Sequence, residues 1–285
     1  MAAPPGPVPD ALPLRPAPAG PVARRRTERG RLVKSAAGLG LILVLWQASV
    51  PLVGLSDYFY PSPATVARAF GELITKGILP VYVSDSLLRY LGSVVVGGVL
   101  GLLLGLAVGL HRGLARLLAP FVNFLYAIVE GAWVPLFVVW WGYGIKVIVV
   151  LLVYIIFFPM FHNTMVGVRT VPQVYVNAVR ALGARPWQVV AEVILPAALP
   201  NIITGFRVGA GFAFRGLIFA EMLAAKTGVG YLIYEGVSMQ NTARTIVGMI
   251  CMGAMWLFID NLYLKPFERA TIERWGVVVV PEDGH

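Results

Sequence analysis

Apolar residues in this chain fall into long unbroken runs rather than into alternation with polar ones. Six runs stand out, at about 32–55, 86–110, 117–140, 146–164, 199–221 and 244–264. A helix needs roughly 20 apolar residues to cross the ~30 Å hydrocarbon layer of a bilayer. Backbone in that layer must satisfy its own hydrogen bonds, and a helix does so within one segment. The pattern predicts an all-α membrane protein of about six transmembrane helices. Glu130, Gly131 and Pro135 interrupt the third run, which makes it the least regular. Two connecting stretches are long, at about 52–85 and 165–198. In the first, Ser62-Pro63 precedes Ala64-Thr65-Val66-Ala67-Arg68-Ala69-Phe70, a helix start followed by mixed small and apolar residues, which predicts a short interfacial helix.

Composition agrees. The 285 residues are 58% hydrophobic and 13% charged, with a mean hydropathy of +0.77, whereas soluble domains carry about 25% charged residues. A water-soluble enzyme is excluded. The net charge of +9 does not indicate nucleic acid, because much of it lies in Arg24, Arg25, Arg26, Arg29, Arg31 and Lys34, just ahead of the first apolar run. Basic residues there set topology and meet anionic lipid. With the N-terminus inside, the inner segments hold fifteen of the 23 basic residues and the outer segments six. This asymmetry supports six spans with both termini cytoplasmic. The implied organisation is a Pro-rich, basic tail over 1–30, a transmembrane domain over 31–266 and a cytoplasmic tail over 267–285. The first run is longer than a signal-peptide core and begins late, so it reads as an uncleaved span. Cys251, the single cysteine, reads as a packed thiol.

The second long connection, and within it the loop at about 170–198, is the most informative. The segment from Val174 to Leu182 forms about two helical turns, and Gly183 permits a sharp change of direction. Pro186 suits the first turn of a second helix running through Trp187, Val190 and Val193. Pro196 and Pro200 mark re-entry into the membrane. The unit is a helix–turn–helix joined directly to two spans, and a rigid-body push on it reaches both.

This loop resembles the EAA loop of ABC importer permeases, whose pattern is Glu-Ala-Ala, three residues, Gly, nine residues, then Ile-x-Leu-Pro. Asn177-Ala178-Val179 stand in the first triplet, Gly183 at the glycine and Val193-Ile194-Leu195-Pro196 at the end, with both intervals matched. Tyr60-Pro61-Ser62-Pro63, Phe219-Ala220-Glu221-Met222 and Gly228-Val229-Gly230-Tyr231-Leu232 resemble the nitrate/sulfonate/taurine branch. The resemblance implies a type I importer permease of the bacterial inner membrane. Asn177, Ala178, Val179, Leu182, Gly183, Pro186, Trp187, Leu195 and Pro196 would form its coupling loop. Asn177 and Val179 depart from the Glu and Ala of the pattern, so apolar contact would carry more of the docking. The implied partners are two copies of an ATP-binding cassette subunit, a second copy of this permease, an extracytoplasmic solute-binding protein and the lipid membrane. The chain itself would bind no cofactor or metal, ATP and Mg acting in the partner. No Gly-Lys dipeptide occurs, so the phosphate-cradling Gly-x4-Gly-Lys-Ser/Thr loop is missing.

Ionisable residues inside spans mark cavities or partners. Arg215 lies sixteen residues past the start of the fifth run, about 24 Å along a helix, and Arg207 is eight residues earlier. An arginine on a central path attracts and orients an anion through its donor fork. Arg215 can equally pair with Glu130 or Glu221, or snorkel to water. Arg215, Arg207, Glu221 and Glu130 are the candidate path residues. His162, at the inner end of the fourth run, is expected to bond to the loop. Gly97, Gly101, Gly105 and Gly109 repeat every four residues, and Gly205 and Gly209 do so in the fifth run. Such stripes admit a close helix, either within the chain or across a dimer.

The transported solute would be a small anion such as an alkanesulfonate, taurine or nitrate. The alternatives are an importer permease for another solute, such as an amino acid or a pyrimidine precursor, or an ion-coupled secondary transporter. The latter often shows duplicated halves, and none is evident between 32–140 and 146–264.

Overall fold

The computed structural model describes residues 37–38, 40–52, 54 and 56–266. The tails at 1–30 and 267–285 and the opening of the first apolar run lie outside the described residues. The chain divides at Gly54 into two units. The first contains helix α1 (Gly40–Leu52), apolar but shorter than a membrane span in its described part.

Four later helices are long and apolar enough to cross a membrane. They are α3 (Ile78–Leu110), α6 (Ile145–Arg169), a continuous stretch from Pro186 to Ala224 that contains α9 (Leu195–Ala224), and a stretch from Thr242 to Tyr263 that contains α11 (Thr242–Ile259). The third apolar run is not one straight helix. It forms α4 (Arg112–Tyr126) and α5 (Trp133–Trp141), bent by 78° across a short 3-10 turn at Glu130–Ala132. Tyr154 of α6 secures the bend, donating its hydroxyl to the carbonyls of Leu125 at 2.5 Å and Ile128 at 3.3 Å. Carbonyls released where a helix stops thereby find a partner.

Helix α2 (Pro63–Thr75) is the short helix expected after Ser62, whose Oγ accepts the Thr65 amide at 3.2 Å. It packs on α11 through buried Val66 and Leu73. Helix α10 (Val229–Ser238) has no counterpart among the six runs. It pairs with α11, helped by the Arg244–Glu235 ion pair at 3.6 Å.

The centre of the second unit is a layer of α3, α6 and α9. Gly97, Gly101, Gly105 and Gly109 of α3 all face α6. A methyl on Gly101 would stand 2.7 Å from the Phe157 carbonyl, one on Gly105 2.7 Å from Thr164 Cβ, and one on Gly109 2.8 Å from Val168 Cβ. The other side of α6 meets Gly205 and Gly209 of α9, where a methyl would stand 2.6 Å from Asn163 Cβ and 2.8 Å from Ile156 Cγ1. Both stripes are therefore taken up by packing within the chain, and the dimer reading of these glycines is corrected. A side chain there would hold the backbones apart; its absence lets van der Waals contact form along whole helices.

Candidate functional site

The long connection folds as the sequence suggests up to its turn. Helix α7 (Gln173–Ala181) ends in a reciprocal backbone motif: the Ala184 amide donates to the Val179 carbonyl at 3.3 Å and the Gly183 amide to the Arg180 carbonyl at 3.0 Å. This closure requires a left-handed residue, and Gly183 has φ +85°. The chain then re-enters helix at α8 (Pro186–Gln188), where the Gln188 side chain accepts the Arg185 amide at 2.8 Å.

Beyond α8 the structure departs from a separate helix followed by a re-entry point. A π-helical segment, Val189–Ile194, joins α8 to α9 without interruption. Its widened turn ends just before Pro196, whose ring would clash with the Glu192 carbonyl in a regular α-turn. The second arm of the loop and the span that follows are thus one rod.

The inner face of the loop is fixed. Val176, Val189 and Ile194 are buried with Val168, Ala198 and Ile202, and Val179 packs against them. The outer face is bare: Asn177, Ala178, Leu182, Gly183, Pro186 and Trp187 are exposed, with Leu182 87% and Trp187 62% accessible. Leu195 and Pro196 lie further along, at the start of α9.

The four intramembrane candidates separate into three places. Arg215 and Glu130 come together with Gly131 and Phe219 around a cavity of about 250 Å³ beside the α4–α5 bend. They form no ion pair with each other, and Arg215 has no carboxylate partner among the described residues. Arg207 is exposed two turns earlier on α9 and does not line that cavity. Glu221 is elsewhere and fully buried.

Glu221 belongs to a network that sequence reasoning missed. Ser86 Oγ donates to its two oxygens at 2.9 and 2.8 Å, Arg89 Nη1 to Oε1 at 2.9 Å, and the Gly230 amide to Oε2 at 2.9 Å. Arg89 also donates to the Thr227 carbonyl and hydroxyl, each at 2.6 Å, and Thr227 Oγ1 donates to Asp85 at 2.6 Å. A carboxylate out of water is tolerated only with this kind of compensation. Gly228 and Gly230 make room: a methyl on Gly228 would stand 2.5 Å from Glu221 Oε1, and one on Gly230 2.7 Å from Glu221 Cβ. Glu221 therefore ties α3, α9 and α10 together and leaves the group of path candidates. Neither alternative pairing of Arg215 with Glu221 or Glu130 forms. The available sequence signal was Asp85 and Arg89, an i, i+4 opposite-charge pair at the edge of the second run.

His162 bonds the Phe158 carbonyl at 2.9 Å and the Asn123 side chain at 3.1 Å, so it joins α6 to α4 rather than to the loop.

Span-length helices, a sharply bent pair of apolar helices and a helical hairpin with a bare outer face define a polytopic α-helical membrane protein. Residues 97–264 match the family described as binding-protein-dependent transport system inner membrane components, and the chain belongs to that family. It is a transport subunit rather than an enzyme. Among its relatives is a Bacillus subtilis protein named for aliphatic sulfonates transport as a permease, 31% identical over 82% of this chain and 84% of its own. The taurine transport system permease protein of Escherichia coli is 30% identical over 81% and 86%. The riboflavin transport system permease protein of Chloroflexus aurantiacus is 33% identical over 77% and 82%. The fold is similar to a chain of the MetNI methionine ABC transporter in an inward-facing form, with a TM-score of 0.54, 18% identity, and 67% of this chain and 96% of that one covered.

Proposed function

We propose that this chain is the permease of an ATP-driven importer of small organic anions of the sulfonate and taurine class. The observation that carries the reading is the Gly183 turn. It presents Leu182 and Trp187 to a partner while the other face of the same hairpin is packed onto α6 and continuous with α9. A partner that grips the outer face moves the two spans with it.

In this reading the partner is an ATP-binding cassette subunit, present twice and holding ATP and Mg, and the permease acts as a pair of copies. A solute-binding protein delivers cargo on the opposite side of the membrane. The loop and both termini lie in the cytoplasm, the domain at 31–266 forms the translocation path and the flanking tails lie outside it. Arg215, beside the α4–α5 bend, supplies positive charge on the path. The sulfonate and taurine permeases among the relatives support the choice of solute.

The test is reconstitution in liposomes with the ATPase and binding protein that co-purify with it. Taurine or an alkanesulfonate should raise ATP hydrolysis and accumulate inside. Stimulation by riboflavin or an amino acid alone would overturn the solute class, and uptake without nucleotide would overturn the ATP-driven mechanism.

A further inference from the structure

A cavity of about 740 Å³ opens between α4, the end of α6 and α7, and four arginines line it: Arg112, Arg116, Arg169 and Arg180. None of its lining residues is acidic. The four come from three separate helices, so no single helix face accounts for their convergence. Arg112 and Arg116 are one turn apart on α4, Arg169 is the last residue of α6, and Arg180 is in the last turn of α7. None has a carboxylate partner among the described residues. Across residues 86–194 the carboxylates are Glu130, which lies past the far end of α4, a helix about 22 Å long, and Glu192, exposed on the π-helical segment and outside the cavity lining.

All four arginines are exposed, so water screens their mutual repulsion, while their shared sign makes the potential around the cavity positive. An anion between them is attracted by all four. The planar donor forks of arginine suit phosphate oxygens in particular. The start of α4 adds free amides: His111 caps it without a side-chain bond, and its first turn contains no acidic residue.

We infer that this cavity binds the phosphate of an anionic phospholipid. Apolar surface next to it selects a lipid over a free anion. On α3 the face in line with Leu110, which lines the cavity, carries Leu103, Val99 and Val96, at i−7, i−11 and i−14, which are 57%, 49% and 50% exposed. Acyl chains lie along that face while the headgroup sits among the arginines. Basic pockets between spans on the cytoplasmic side bind such headgroups elsewhere. Arg180 belongs to the helix that ends in the Gly183 turn, so the lipid also braces the loop against α4 and α6.

The experiment is native mass spectrometry of the full chain in detergent with added cardiolipin, phosphatidylglycerol or phosphatidylcholine, each with and without inorganic phosphate. Wild type should retain the two anionic lipids and not phosphatidylcholine, and millimolar phosphate should not displace them. Arg112→Ala/Arg116→Ala should weaken retention about thirtyfold, roughly fivefold for each basic residue removed, with unchanged circular dichroism. Arg112→Lys/Arg116→Lys should keep most of it. Equal retention by the alanine variant, or equal retention of phosphatidylcholine, would overturn the site. Displacement by phosphate would assign the pocket to a free anion and overturn the lipid. Unchanged lipid adducts with loss of a co-purifying subunit would assign the arginines to a protein partner instead, which also overturns it.

Discussion

Arg89 and Glu221 are 132 residues apart in the chain and 2.9 Å apart in space, Nη1 to Oε1. The carboxylate has no accessible surface, so loss of Arg89 leaves it buried without a counter-charge, and loss of Glu221 leaves Arg89 with Asp85 as its ion-pair partner among the described residues. We expect Glu221→Leu and Arg89→Leu each to destabilise by about 3–5 kcal/mol. The double variant should lose less than the sum. Thermal unfolding of the purified chain in detergent measures all three, and strictly additive losses would show that the two are not coupled.

The glycine stripes make a contrast between two single methyl groups. Gly105→Ala places Cβ 2.7 Å from Thr164 Cβ and 2.8 Å from the Phe161 carbonyl, and should cost about 1–3 kcal/mol through overpacking. Gly113→Ala, with open space around it, should be neutral or slightly stabilising because alanine favours helix. The same unfolding assay separates them.

At Gly183 nothing obstructs a side chain, yet φ is +85°. A residue with a Cβ is strained there by about 1–2 kcal/mol, enough to redirect the turn without unfolding the bundle. Gly183→Asp should insert normally and abolish solute-stimulated ATP hydrolysis in the reconstituted complex. Trp187→Ala should weaken co-purification of the ATPase. Stimulation retained in Gly183→Asp would remove the turn from coupling.

Arg215→Ala should slow anion uptake about tenfold, the scale of one lost charge-assisted bond, while leaving the ATPase bound. Arg215→Lys should recover part of the rate. Uptake at the wild-type rate in the alanine variant would take Arg215 off the path.

The spans were legible because hydropathy is a property of a single segment, and α3, α6, α9 and α11 follow the apolar runs closely. Their ends were not. Helix α3 begins at Ile78 rather than near 86, since its first turns are mixed in polarity and protein contacts hold them. Helix α10 is ten residues long and is stabilised by α11 and Glu221, so no local signal marks it. Pro135 interrupts the third run in sequence, yet it sits in the first turn of α5, where proline is tolerated; the bend itself is at Ala127–Ala132. In the loop, the Gly183 turn was readable because a left-handed residue has a strong local preference. The partners of Glu221 were not readable, because a buried charge reports only that it is compensated and not by what.

Backbone seated against backbone on both flanks of α6 makes α3, α6 and α9 a single slab without an internal sliding surface. A change of state that kept these contacts would tilt the three helices as one body. The bend at Ala127–Ala132, beside the Arg215 cavity, would then be the place to flex, and such a movement would reshape the cavity without unsealing the glycine seams.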